Sequence, residues 1–177
     1  MPLNIDVANI GGNVTVQVYN RNIQIKEFEC HNHVTDEGIV NLLNCLARET
    51  TSYIKGISIL TGSVTNPEEH KFYSFTSTRV VYGSSPYAEF KFYLGTTGAS
   101  IENINGKTIV GCRLLTSNSV GIELPFAEVT SADVIPGSED DTGTPKKVFT
   151  PIDKTTDISV VVIWRIGITS IFTNIIQ

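Results

Sequence analysis

Charge is scarce in this chain of 177 residues, of which only 18% are Asp, Glu, Lys or Arg, against an ordinary share of about 25%. Positive charge is the scarcer sign, with 13 Lys and Arg against 18 Asp and Glu and a net charge of −5. The densest basic patch, Lys146-Lys147, stands close to Glu139-Asp140-Asp141. Nucleic-acid binding depends on cations that neutralise phosphates, so no nucleic acid is expected as a partner. Cysteine is also sparse. Cys30, Cys45 and Cys112 share no metal-type spacing and leave an odd count, which predicts buried thiols in a reducing compartment. Long apolar runs are missing too: the longest, Val160–Trp164, falls far short of the ~20 residues of a membrane helix. The opening Met1-Pro2-Leu3-Asn4-Ile5-Asp6 has neither the basic nor the apolar region of a signal peptide, so synthesis in the cytoplasm and no membrane partner are expected.

What is abundant is alternation. Val14, Val16 and Val18 share one face of a strand, Asn20-Arg21-Asn22 makes a turn, and Ile23–Phe28 resumes the pattern, predicting a hairpin with one buried face. The period then changes. Thr35 can cap a helix whose first turn holds Asp36 and Glu37, and Ile39, Leu42, Leu43 and Leu46 recur at helical spacing, predicting one amphipathic helix over 36–47. Further strands are expected at Tyr53–Leu60, at Ala88–Leu94 with Phe90 and Phe92 inward, and at Val120–Val129 with a bend at Pro125. Asn105-Gly106 between Ile101–Ile104 and Lys107–Val110 has the composition of a type I′ hairpin turn. Residues 68–85 read as a long loop with fragments of strand, and the Gly-, Pro- and acid-rich residues 131–147 as a solvated loop or excursion. Near the end, Phe149–Ile152 and Ile158–Ile168 flank a polar break, a hairpin or tight strand connection whose second strand is apolar on both faces. The expected fold is all-β, mainly antiparallel: a β-sandwich with one short amphipathic helix, a single domain over 1–177 with 1–10 as a possible N-terminal arm.

Chemistry has little to attach to. Cys30-His31-Asn32-His33 is the one cluster of potential metal ligands; on an extended strand His31 and His33 point the same way, but a site needs more ligands than His70 can add. The simpler reading is a polar approach to the helix, so no metal and no cofactor are expected. Gly62-Ser63 and Gly83-Ser84 lack the frame of a nucleophilic serine. Gly95-Thr96-Thr97-Gly98 opens no helix and is read as a turn rather than a phosphate cradle. Glu139-Asp140-Asp141 lacks the Asp/Asn alternation of a calcium loop. Trp164 reads as core. No catalytic residues are assigned and no enzyme activity is expected.

Three stretches, taken in order, resemble tailed-bacteriophage virion proteins, namely tail-collar fibres and related neck or tail attachment proteins. An Asn-x-Val-Thr-x-x-Gly-x-x-x-x-Leu segment stands as Asn32-His33-Val34-Thr35-Asp36-Glu37-Gly38-Ile39-Val40-Asn41-Leu42-Leu43. A Glu-led apolar strand ending in Ala is matched by Gly121–Ala127, and a Lys-Thr turn before a Trp-bearing strand by Pro151–Thr156 and Val161–Ile166. Ile57-Ser58-Ile59-Leu60-Thr61-Gly62 departs from the group's strand end by one glycine, and Pro125 precedes Phe126 where members tend to have Gly-Leu. The resemblance implies a virion component in several copies, a homo-oligomer or ring contacting portal, neck, tail or capsid subunits. Its contacts are expected on the long loops, at Phe72, Tyr73, Tyr82, Tyr87, Glu139, Asp140 and Asp141. The alternative is a carbohydrate-binding β-sandwich that recognises a host surface through exposed aromatics such as Tyr73, Tyr82 and Tyr87.

Overall fold

The computed structural model describes residues 7–46, 53–83, 86–98, 101, 103–117, 120–139 and 145–171. The elements run β1 Val7–Asn20, β2 Ile23–His31, β3 His33–Val34, α1 Asp36–Leu46, β4 Gly56–Gly62, β5 Pro67–Phe72, β6 Ser77–Val81, β7 Tyr87–Leu94, β8 Lys107–Ser117, β9 Glu123–Thr130, β10 Val134–Glu139, β11 Pro145–Lys147, β12 Ile152–Lys154 and β13 Ile158–Ile171. Two antiparallel sheets pack face to face. One has the order β2-β1-β13-β7-β6, the other β3-β9-β8-β4-β5, with β12 also paired to β8. The fold is a mainly antiparallel β-sandwich with one helix.

Alternation builds the interior. Val14, Val16 and Val18 of β1, Val160, Val162 and Trp164 of β13, and Phe92 and Leu94 of β7 meet Ile57 and Ile59 of β4, Cys112 and Leu114 of β8, and Ala127 and Val129 of β9. Each such side chain contributes roughly 1.5–3 kcal/mol when fully buried. Strand β13 lies between β1 and β7 and packs one face, Val160, Val162 and Trp164, into the core. On its outer face Val161 is buried, aligned with Gln17 and Tyr93, while Ile163 and Arg165 are half-buried, so the expected cover on both faces is partial. Cys30 and Cys112 are buried free thiols, as their apolar settings predict.

Several expectations are corrected or narrowed. Where a strand and a type I′ turn are expected, Ile101 is helical and residues 103–106 are turns, with Ile104 N–H donating to Ile101 C=O and Lys107 N–H to Ile104 C=O, while Glu102 lies outside the described residues. Of Asn105 and Gly106, only Gly106 has a positive φ (83°), whereas type I′ needs both; the turns drive Ile104 fully into the core. Of the two alternatives for the polar break, 155–157 is the tight strand connection and not a hairpin, because β12 joins β8 in one sheet and β13 joins β1 and β7 in the other. The strand fragments expected within 68–85 are two outer strands, β5 and β6, one for each sheet. Residues 131–147 carry a two-stranded ribbon, β10 with β11, rather than an open loop. The fourth strand starts at Gly56, three residues later than expected. Val7–Ile10 pair with Ile168–Ile171 as the end of β1, and residues 1–6 of the expected arm lie outside the described residues.

The helix forms where its cap predicts and turns a different face inward. The Thr35 hydroxyl accepts the Gly38 N–H at 3.0 Å, with Asp36 and Glu37 in the first turn favoured by the helix dipole. Gly38 sits against β9: a Cβ there would come within 2.1 Å of the Phe126 carbonyl oxygen. Asn41 is buried, donating from Nδ2 to Ser117 C=O at 2.8 Å and accepting from Thr116 Oγ1 at 3.2 Å. Those contacts rotate Gly38, Asn41 and Leu42 toward the sheet, leaving Ile39, Val40 and Leu43 exposed. The apolar stripe predicted to face the core therefore faces outward, with Leu42 alone of its described members partly buried against the core.

Candidate interaction surfaces

Acidic groups on the outer sheet faces are engaged by cations. On the first sheet, Asn13, Arg165, Glu89 and Arg79 stand in one cross-strand row. Glu89 is 6% exposed and lies between Arg79, whose Nη2 is 2.7 Å from Oε1, and Arg165, whose Nε is 2.9 Å from Oε2. Burial alone would raise the Glu89 pKa, but hydrogen bonds from Arg165 and Arg79 hold it below the ordinary carboxylate value. Arg165 also donates to Thr15 Oγ1 at 3.1 Å. On the second sheet, Arg113 binds Glu128 at 2.8 Å and reaches Glu69 at 3.9 Å, while Ser58 donates to Glu69 at 2.7 Å. Glu89, its pKa held low by two arginines, is not suited to act as a general acid near neutral pH.

Potential nucleophiles and ligands are equally constrained. Burial, with Glu29 nearby, pushes the Cys30 thiol up to about 12, and burial raises Cys112 as well. Such thiols stay protonated and inert. His31 is exposed on β2 of the first sheet, whereas His70 sits on β5 of the second, with Nε2 3.0 Å from Thr61 Oγ1. The His33 side chain lies outside the described residues. Among the described residues, no three His, Cys, Asp or Glu side chains group to hold a metal ion. Lys154 is 1% exposed, and its ammonium donates to Asn105 Oδ1 at 2.8 Å and Thr155 C=O at 2.9 Å. Burial pushes its pKa down; this lysine ties β12 to the turn before β8.

The residues expected to make contacts do not form one patch. Phe72 packs its ring on Phe92 with centroids 5.1 Å apart. It lines a cleft of about 400 Å³ together with Lys71, Tyr73, Ser74 and Tyr93. Tyr73 and Tyr93 are both about half exposed. The Tyr73 hydroxyl hydrogen-bonds Glu123, which raises its pKa, and Lys71 binds the same carboxylate at 2.7 Å. Tyr87 instead lines a separate cleft of about 270 Å³ with Ile10, Leu42, Val80, Phe126 and Ile166. Tyr82 is 85% exposed just after β6 and lines neither of these clefts. Glu139 ends β10 with its side chain outside the described residues, where Asp140 and Asp141 also lie.

Two features escaped the sequence reading. Tyr93 belongs to the outward-facing set Glu89, Lys91 and Tyr93 of β7, which the inward placement of Phe90 and Phe92 already implied. The exposed face of α1 depends on the burial of Asn41 against Thr116 and Ser117, which local spacing does not show. That face, with Val40 at 55% and Leu43 at 57% exposure, lies on the helix whose Leu42 lines the 270 Å³ cleft and a second cleft of about 210 Å³ beside Tyr53 and Phe90. An apolar helix face beside two apolar clefts has the chemistry of a protein contact surface. Compared with protein-family models, curated proteins and solved structures, the chain matches none.

Proposed function

We propose that this protein is a non-catalytic building block of a tailed-phage particle, a multi-copy adaptor in the neck, collar or tail that works by holding neighbouring chains. The observation that carries the reading is the outward apolar face of α1, Ile39, Val40 and Leu43, on the segment whose motif resembles virion attachment proteins. Low overall charge, inert thiols and carboxylates committed to arginines favour contact over chemistry. In a ring of copies, modest contacts add through avidity. The test replaces the chain by a V40K/L43K variant and measures its incorporation into purified particles. Loss of incorporation with unchanged thermal stability supports the reading; normal incorporation refutes it.

The cleft flanked by Tyr73 and Tyr93 favours a second reading, recognition of a host-surface carbohydrate. Tyrosine rings offer an apolar face with a polar tip, and Lys71, Ser74 and the Tyr73–Glu123 pair place polar groups at or beside it. Titration of host-surface glycans against tyrosine fluorescence tests it. A saturable change lost in Y73A and Y93A supports sugar binding, and no change with any glycan rejects it.

A further inference from the structure

We infer that the projecting end of β1 is a pairing edge for a second copy of this chain. The inference rests on the assembly reading and supplies a partner for it. β1 and β13 pair over their whole length, from Val7↔Ile171 to Asn20↔Ile158. Their neighbours stop earlier: β2 pairs with β1 only from Asn13 onward, and β7 pairs with β13 only up to Gly167. Beyond those points Val7–Gly11 and Ile168–Ile171 form a two-stranded ribbon that no other described strand flanks. Gly12 C=O still accepts the Asn32 N–H, so the free edge of β1 starts at Gly11 and runs out to Val7. Every second N–H and C=O along that edge points away from β13, toward a side where no described strand pairs with it.

Unpaired strand edges are ordinarily blunted by charge, proline, bulges or brevity. The other outer strands follow that rule. β2 carries Lys26, Glu27 and Glu29 and a register shift opposite Val18/Tyr19. β5 begins with Pro67 and carries Glu68, Glu69 and Lys71. β6 spans five residues and includes Arg79, and β3 spans only two. The ribbon has none of these devices: Val7-Ala8-Asn9-Ile10-Gly11-Gly12 and Ile166-Gly167-Ile168-Thr169-Ser170-Ile171 contain no charged residue and no proline. In a chain of net charge −5, an uncharged edge is where two copies meet with least repulsion.

A strand pairing antiparallel with its own copy satisfies both edges through one two-fold axis. For Val7–Gly11 the axis falls at the midpoint, which sets Asn9 opposite Asn9 of the second copy, Ala8 opposite Ile10 and Val7 opposite Gly11. The two five-stranded sheets then continue through the joined ribbons. The inner-face residue Ile10 and its neighbour Ile166 line the 270 Å³ cleft beside Leu42, so pairing sets the apolar ends of the two sandwiches side by side.

The register gives a charge-swap test. Like charges directly opposite in an antiparallel pair repel and opposite charges attract. Sedimentation equilibrium of the full chain is run for wild type, N9K, N9D and an equimolar mixture of the two variants, with circular dichroism confirming that each is folded. Wild type at twice the chain mass, each variant alone falling twofold to the chain mass, and recovery in the mixture support the inference. A wild type that stays at the chain mass overturns it, as does wild-type association that N9K and N9D both retain. In either case the particle-incorporation test on α1 still decides the assembly reading separately, because it reads attachment to the particle and not self-association of the chain.

Discussion

Replacing Gly38 by alanine sets two effects of known sign against each other. Alanine is favoured over glycine inside a helix by roughly 1 kcal/mol, so an unobstructed helix would gain stability. Gly38, however, lies against β9, and an added Cβ would stand 2.1 Å from Phe126 O and 2.9 Å from its carbonyl carbon. Both are backbone atoms of a paired strand and cannot rotate away. Relief requires lifting the first turn of α1 off the sheet by about 1 Å, the gap between that distance and an ordinary carbon–oxygen contact of about 3.3 Å. That movement strains the Thr35 N–H bond to Phe126 C=O and the Asn41 bonds to Ser117 and Thr116, each worth about 1 kcal/mol. Overpacking costs typically 1–3 kcal/mol. Together these outweigh the propensity gain and leave G38A destabilised by about 2–3 kcal/mol. In a domain of this size each kcal/mol lowers Tm by about 2–4 °C, so a fall of about 4–12 °C is expected. Urea unfolding followed by the fluorescence of buried Trp164 reads the change, and a G38A variant as stable as wild type or more so would refute the close packing of helix on sheet.

Other substitutions probe separate parts of the account. The Glu89 pKa is held low in the folded chain, so its contribution is present above the unfolded carboxylate pKa and is lost as pH falls through the folded value; E89Q should therefore lower stability at pH 7 and shrink the stability difference between pH 7 and pH 3, read by urea titration at both. Lys154 has the opposite chemistry: its lowered pKa means the unfolded chain holds more protons, so stability from this group rises with pH until the unfolded pKa is reached. K154M should stabilise by about 1 kcal/mol at pH 7, with the gain over wild type shrinking toward pH 10, and an unchanged gain across that range would contradict an unneutralised buried cation. L43S should leave Tm within about 1–2 °C of wild type because Leu43 is exposed, and a large fall in a thermal scan would place it in the core instead.

Local pattern carried the strands whose one face is buried. Val14, Val16 and Val18 announced their face directly, and the run Val160–Trp164 announced a strand of the packed interior, although only its Val160, Val162 and Trp164 face lies in the core. Thr35 and the acidic first turn announced where α1 begins. The face of α1 was not legible, because its inward side is set by a glycine that permits close approach and by Asn41, whose partners Ser117 and Thr116 lie far along the chain. Asn105-Gly106 misled because burial of Ile104 prevailed over the turn preference of the dipeptide. The bounds of β5 and β6 were not legible because the charges that protect outer strands interrupt the apolar alternation on which recognition depends. Sheet membership of β12 and β13 is non-local, so adjacency in sequence left a hairpin and a tight connection both open, and the chain takes the tight connection from one sheet to the other. Among the surface residues, Tyr73 and Phe72 came together as one cleft, while Tyr82 and Tyr87 went elsewhere because β6 and β7 carry them to the other end of the pair.

Quantitative mass spectrometry of purified particles, from cells in which the chain is made, measures its copies per particle and bears most directly on a protein that works by its surfaces. A fixed, multi-copy stoichiometry that survives extensive washing is the expected result. Its absence from particles, with the chain recovered only free in the lysate, would contradict the account.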